Sequence, residues 1–223
     1  MPEGPSIVIL KEQAAKFAGK VVREASGNSK QPLQRMQGLR LRRACSWGKH
    51  FLLDFGAFSL RIHFLLFGSS RVDDPKEGVA PRVRLRFDNG QLDLYACSVR
   101  FIDAPLDEVY DWSVDVMADA WDPARARRTL RARPHVIAAD ALLEQARAYS
   151  FDFLEWKKAY VLKKHYQVHT KTHCPRDGTR LAYRKHLGRA QRRAFFCEAC
   201  QKRYGGGAGG EGAAARAPSR RTR

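Results

Sequence analysis

Apolar residues at Ile7, Leu10, Ala14 and Phe17 recur at helical spacing and Gly19 follows them, so the chain is predicted to open with a helix over about 6–18. Beyond residue 20 the pattern changes to short runs rich in apolar and β-branched residues: LRLRRACS (39–46), HFLLDF (50–55), SLRIHFLL (59–66), VRLRF (83–87) and QLDLYAC (91–97). Asp88-Asn89-Gly90, between the last two, is a hairpin signal. Helical patterning takes over after Asp103, with helices expected over 123–132, 135–147 and 151–165. The fold class is therefore α+β: an N-terminal helix with a two-layered antiparallel β-sandwich, a helical domain, and a C-terminal cysteine-bearing module. The expected division is 1–110, 111–173, 174–204 and a disordered basic tail, 205–223. That tail, GGGAGGEGAAARAPSRRTR, is low in complexity and poor in apolar side chains.

Charge narrows the partner. Lys and Arg number 41 against 23 Asp and Glu, a formal net charge of +18 over 223 residues, which favours a polyanion. No apolar run approaches the roughly 20 residues of a membrane-spanning helix. The start MPEGPSIVIL has neither the basic flank nor the cleavage site of a signal peptide. The sequence thus predicts a cytoplasmic, nucleoid-associated monomer that binds nucleic acid, without a small-molecule cofactor.

The five cysteines are unevenly spread. Cys45 and Cys97 stand alone in strand-like segments and read as small buried hydrophobes. Cys174, Cys197 and Cys200 fall in the last quarter, with Asp177 where the second Cys of a C-x₂-C knuckle would stand. Tetrahedral zinc takes four ligands and accepts a carboxylate oxygen, so the predicted set is Cys174, Asp177, Cys197 and Cys200 around one structural Zn²⁺, with His173 as the alternative fourth ligand. Residues 174–204 have too little apolar mass to fold by burial alone.

Chemistry gathers at the N-terminus. With Met1 removed, Pro2 presents a secondary amine whose pKa lies far below that of lysine, so a usable fraction is neutral near pH 7. Such an amine can attack C1′ of a damaged nucleoside, release the base and leave an iminium, and the iminium acidifies C2′ for strand cleavage. Glu3 is adjacent and able to move protons, an acid role that requires burial. Lys49 follows Gly48 in a turn between two strands. Each also has an ordinary reading: a helix-start proline, an acid favoured by the helix dipole, a solvated lysine.

MPEGP at the start, the Lys of SWGKHFLL, HFLLFG and the terminal QRRAFFCEACQK together resemble the formamidopyrimidine-DNA glycosylase / endonuclease VIII family. The resemblance implies a DNA glycosylase / AP lyase acting on damaged double-stranded DNA, with Pro2, Glu3 and Lys49 catalytic and Lys49 also touching phosphate. It implies that Arg192, with Arg193 its nearest rival, grips the phosphates flanking the lesion. Leu66 would fill the hole left by an extruded base, unless it is a core leucine. Phe101 would be a second wedge, with Arg100 beside it in the DNA-binding set. Val99 stands where formamidopyrimidine-type members carry Arg, which favours an endonuclease VIII-like pocket.

One departure is plain. In the family, the segment matching IAADALLEQ (137–145) leads into a Gly-rich turn and an Asn- and Glu-bearing helix, the helix-two-turns-helix that binds the DNA backbone. Here Gln145 runs directly into ARAYSFDFLEWKK and that turn is missing. The competing readings are a noncatalytic or degenerate zinc-dependent DNA-binding protein and an RNA-binding ribbon protein, the latter leaving Pro2, Glu3 and Lys49 idle.

Overall fold

The computed structural model describes residues 3–131, 139–188 and 191–201; Pro2 and the tail 205–223 lie outside them. The chain divides into two compact units, Met1–Leu162 and Lys163–Arg223.

The first unit opens with α1 (Gly4–Ala14), whose Pro5 suits a first helical turn because its missing N–H has no partner there anyway. Ile7, Leu10 and Ala14 are buried, and each large one contributes about 2 kcal/mol of apolar burial. Six strands follow: β1 (Glu24–Ser26), β2 (Arg43–Trp47), β3 (His50–Asp54), β4 (Ser59–Val72), β5 (Val83–Phe87) and β6 (Gly90–Ile102). They form one antiparallel sheet in the order β1-β5-β6-β4-β3-β2.

The long β4–β6 ribbon explains how one sheet makes two layers. β3 pairs with the first residues of β4, while β5 pairs with the first residues of β6, so the two outer strand pairs attach at opposite ends of the ribbon. Phe51, Leu53, Leu60 and Ile62 from one end and Val83, Leu85, Leu92 and Leu94 from the other meet in a single core with Ile7, Leu10 and Phe17. Phe17 stacks on Phe87 with centroids 4.4 Å apart. The one fully buried carboxylate among the described residues, Asp93, is satisfied by Arg84 Nε at 2.6 Å and Gln91 Nε2 at 2.7 Å.

Between the two ends the ribbon breaks step. Phe64 pairs with Cys97 and Ser69 with Tyr95, so residues 65–68 bulge opposite Ala96 alone, which takes φ +45°. Gly68 permits the bulge: a Cβ there would lie 2.7 Å from Phe64 Cβ and 2.8 Å from the Ala96 carbonyl.

A short helix, α2 (Leu106–Val109), and a 3₁₀ turn at Trp112–Val114 cover the outer face of β3 through Leu52, Leu106 and Tyr110. Then come α3 (Pro123–Arg131) and α4 (Ala139–Lys158). The two helices expected over 135–147 and 151–165 are corrected here. From residue 139 they are one helix, continuous to Lys158, followed by a 3₁₀ turn at Leu162–His165. Residues 146–150 contain no Gly or Pro, and the Ser150 hydroxyl donates to the Ala146 carbonyl at 2.7 Å, so nothing stops the helix. It ends at Tyr160, which adopts φ +59°. Where a turn was missing from the sequence, the structure has an uninterrupted helix that packs on α1.

The second unit is a hairpin, β7 (Ala182–Leu187) with β8 (Arg192–Phe196), together with the segments carrying its cysteines. Phe195 lies between the rings of Tyr183 and His169, with centroids 5.0 Å from each.

Candidate active site

β2 and β3 are joined by the two-residue turn Gly48-Lys49, Trp47 pairing with His50, and Gly48 adopts φ +53°, which a glycine takes without steric cost. The turn projects Lys49 toward the start of α1, where its ammonium meets the Glu3 carboxylate at 2.6 Å. Glu3 stands at the helix N-cap but makes no capping bond with its side chain, which leaves the carboxylate for Lys49. The backbones also approach closely: a Cβ on Gly4 would sit 3.6 Å from the Gly48 carbonyl. Thus two of the three predicted catalytic residues are brought together. The third, Pro2, lies outside the described residues, one residue ahead of Glu3. The side chain of Glu3 is 47% exposed, so the burial that an acid role needs is not supplied by the protein alone.

Asp115, which sequence reasoning missed, holds this turn. It is 8% exposed, and its carboxylate accepts the Gly48 N–H at 3.1 Å and the Met117 N–H at 3.1 Å. From beneath, Trp47 Nε1 donates to the Asp111 carbonyl at 2.9 Å, and the Tyr110 hydroxyl lies 3.1 Å from His50 Nδ1. Burial, reinforced by the Arg61 guanidinium and the neighbouring His63, lowers the His50 pKa from its ordinary value.

A cavity of about 340 Å³ opens beside the pair, lined by Glu3, Lys49, Asp115 and Met117 on one side and by Tyr149 and Phe153 of α4 on the other. Tyr149 is 51% exposed and stacks edge-on against Trp156 at 5.9 Å. Arg147 donates to the Val116 carbonyl and lies over the Phe151 ring at 5.0 Å, tying α4 to the loop that carries Asp115. The continuous helix therefore gives the cavity an aromatic wall, which the i, i+4 spacing of Tyr149 and Phe153 makes readable only once residues 139–158 are seen as one helix.

Leu66 is no core leucine: it is 53% exposed on the bulge, between Leu65 at 51% and Phe67 at 84%. Phe101 differs. It is partly buried against the core, 5.2 Å from the Phe58 ring and beneath the Arg35 guanidinium, so its side chain is committed to packing. Val99 also packs inward, and Arg100, exposed between them, stands opposite Arg61. Cys97 is buried, which pushes its thiol up to about 12, and Cys45 is raised by the same cause; both are inert packing residues.

In the second unit the ligand atoms of Cys174, Asp177, Cys197 and Cys200 lie within 4.8 Å of one another. Cys174 Sγ and Cys200 Sγ are 3.7 Å apart, and the Asp177 carboxylate reaches Cys197 Sγ at 3.5 Å and Cys200 Sγ at 2.9 Å. Sulfurs bound at 2.3 Å around a tetrahedral ion would be about 3.8 Å apart, so the donor set fits a metal ion. The knuckles are local: the Thr179 N–H donates to Asp177 at 2.9 Å, and the Cys200 N–H to Cys197 Sγ at 3.4 Å. His173 is outside the cluster, its Nδ1 3.0 Å from the Thr172 hydroxyl. Arg192 and Arg193 are both exposed at the start of β8.

Helix, bulged sheet and the Glu3–Lys49 pair all fall within residues 1–103, which match the formamidopyrimidine-DNA glycosylase N-terminal domain. The match spans the N-terminal helix and the six-stranded sheet and stops at residue 103 of 223. Among its curated relatives are the proteins named endonuclease 8 2 of Mycobacterium tuberculosis and Mycobacterium bovis, each 34% identical over 110 residues, 45% of this chain. The chain spans 43% of the length of each. The fold is shared more widely. The Lactococcus lactis formamidopyrimidine-DNA glycosylase, solved non-covalently bound to DNA containing an AP site, superposes with a TM-score of 0.70 at 16% identity, covering 91% of this chain and all of that one. MutM in complex with DNA containing carbocyclic 8-oxo-G gives 0.66 at 16% identity over the same shares.

Proposed function

We propose that this protein is a base-excision-repair DNA glycosylase with AP lyase activity, removing oxidised bases from damaged double-stranded DNA through a Schiff base on Pro2. The observation that carries the reading is the 2.6 Å pair of Glu3 and Lys49, one residue from that amine, at the mouth of an aromatic-walled cavity. The neutral Pro2 nitrogen attacks C1′. The base departs with its bonding electrons and a proton, the sugar ring opens as Glu3 supplies a proton to its oxygen, and the nitrogen lone pair closes the iminium. Loss of a C2′ proton then expels the 3′ phosphate by β-elimination, and δ-elimination expels the 5′ phosphate. Lys49 holds Glu3 in place and contacts a phosphate. Leu66 enters the stack as the base leaves it; Arg192 and Arg100 bind the backbone, and Phe101 supports this surface from its packed position. Cys174, Asp177, Cys197 and Cys200 hold one structural zinc. The segments 1–110, 111–173, 174–204 and 205–223 act as catalytic domain, helical DNA-binding domain, zinc hairpin and basic tail, in a nucleoid-associated monomer.

Borohydride trapping on an abasic-site oligonucleotide tests the chemistry, because only an amine-derived iminium is reduced to a stable link. Trapping through the N-terminus is expected, weakened by Pro2→Gly and abolished by a retained Met1 or an N-terminal tag. A link mapped to an internal lysine would overturn the assignment. The continuous α4, with no turn of backbone donors in it, favours a second reading, a noncatalytic zinc-dependent DNA-binding protein; binding to the same oligonucleotide without any trapping would establish that one.

A further inference from the structure

A further cavity outside the site described above has a lysine as the one charged residue of its lining. It measures about 250 Å³ and lies between α1, α4 and the bulge of β4, with Phe64 and Gly68 on the bulge side. Its polar lining is Ser6, Gln13, Ser69, Ser70 and Lys157, with no carboxylate. Lys157 is half-buried and donates to the Ser6 hydroxyl at 2.7 Å, a neutral partner; among the described residues no acid pairs with it. Burial lowers its pKa, the mark of an ammonium held without a compensating anion. Ser69, on the cavity wall, accepts from Lys76 Nζ at 2.8 Å; Lys76 lies over the Tyr95 ring and has no carboxylate partner among the described residues. The neighbouring Lys158, by contrast, is matched to Glu12 at 2.9 Å. In a half-buried setting a cation without an anion is costly, and Lys157 in the lining, with Lys76 one hydrogen bond behind Ser69, leaves a place for a tetrahedral anion.

We propose that this cavity is a phosphate subsite for the DNA backbone, with Lys157 as its charge, the hydroxyls of Ser6 and Ser69 as its donors, and Lys76 behind Ser69. It rests on the DNA-binding part of the function proposed above. Its position identifies the phosphate: the cavity abuts the bulge that presents Leu65, Leu66 and Phe67, so the bound group belongs to a nucleotide beside the one those side chains displace. It also supplies, from the uninterrupted α4, a backbone anchor in place of the missing turn.

Binding of an uncleavable tetrahydrofuran-containing duplex, measured by fluorescence anisotropy across a salt series, tests the subsite without depending on any iminium. Lys157→Gln should weaken binding and lower the magnitude of the log K against log salt slope by about 0.9, one phosphate contact. Lys157→Arg should restore most of it, and Lys76→Gln should act in the same direction. A single methylphosphonate beside the tetrahydrofuran residue should erase the difference between wild type and Lys157→Gln. An unchanged slope in a variant that keeps wild-type circular dichroism would overturn the proposal, with Lys76→Gln and Ser6→Ala deciding if Lys157→Gln does not fold. Orthophosphate that raises the Tm of the wild type but not of Lys157→Gln, with the DNA slope unaltered, would assign the cavity to free phosphate and also overturn it. Protein that never traps under borohydride yet shows the Lys157-dependent slope would refute the lyase reading and leave the subsite standing.

Discussion

Asp115 shows how a single side chain outside the predicted catalytic set governs the candidate site. It holds the Gly48 and Met117 N–H groups with one buried carboxylate, and removing it leaves two donors without partners, at about 1–3 kcal/mol. Asp115→Ala is expected to lower the borohydride trapping rate about tenfold or more, as the Lys49 turn loses its anchor, with a smaller change in duplex affinity; Asp115→Asn, which keeps an acceptor oxygen, should recover part of the rate. Equal rates for wild type and Asp115→Ala would show that the turn holds itself. His50 adds a pH dependence. Its folded-state pKa is depressed by burial, so the folded protein binds its proton less readily than the unfolded chain. Stability is then present above the ordinary imidazole pKa, near 6.5, and falls as pH drops through that value. Thermal unfolding between pH 7.5 and 5 should show this loss, and His50→Gln should flatten it. Asp115 was not legible in the sequence, because its meaning lies in a hydrogen bond to a turn 67 positions away. Glu3 and Lys49 were legible, since one is fixed by the chain start and the other by a glycine turn between alternating strands.

Among the elements, the β5–β6 hairpin was readable because Asp88 and Asn89 form a two-residue turn between runs of period two. β1 was not: Glu24-Ala25-Ser26 has no alternation of its own and is a strand only because Arg84, Leu85 and Arg86 lie opposite. The sequence reading splits the α4 stretch into two helices, 135–147 and 151–165, yet no Gly or Pro stands at 146–150 to stop a helix. Its continuity carries the Tyr149 and Phe153 wall, which a test can separate from general stability. Ala148→Pro is expected to cost about 3 kcal/mol and to abolish trapping, whereas Tyr149→Phe should leave both nearly unchanged and Tyr149→Ala should reduce trapping with little effect on Tm. If Ala148→Pro traps at the wild-type rate, the helix is not part of the site.

For the whole molecule, the two compact units depend on different forces. Unit Met1–Leu162 has a packed core, whereas unit Lys163–Arg223 has a small aromatic cluster and the Cys174, Asp177, Cys197 and Cys200 set. Elemental analysis should find one zinc per chain. Chelation should melt the second unit, detected by loss of hydrogen-exchange protection in β7 and β8, while the sandwich persists. A carboxylate in place of a thiolate should make this occur at a lower chelator concentration than for a four-cysteine site, and Asp177→Ala should lower zinc content more than His173→Ala. Extruding a stacked base costs a few kcal/mol, least for an unpaired one. Without the missing turn to offset that cost, abasic and single-stranded substrates should be cleaved far faster than a dihydrouracil in duplex DNA, with steep salt dependence. Equal, salt-insensitive rates on all three would show that another element replaces that turn.

The clasp between α1 and α4 also has a consequence in time. Lys157 meets Ser6 across 151 residues and Lys158 meets Glu12 across 146, so these two contacts to the N-terminal helix cannot form until almost the whole first unit has been synthesised. At ribosomal rates of roughly 5–20 residues per second, that is an interval of about 8–30 seconds in which the start of the nascent chain is held by neither lysine. Removal of Met1, the step that would uncover the Pro2 amine, would meet neither contact if it took place within this interval. If Met1 removal is instead slower than this interval, both contacts should already be made, and protein with its amine still blocked should be visible by mass spectrometry.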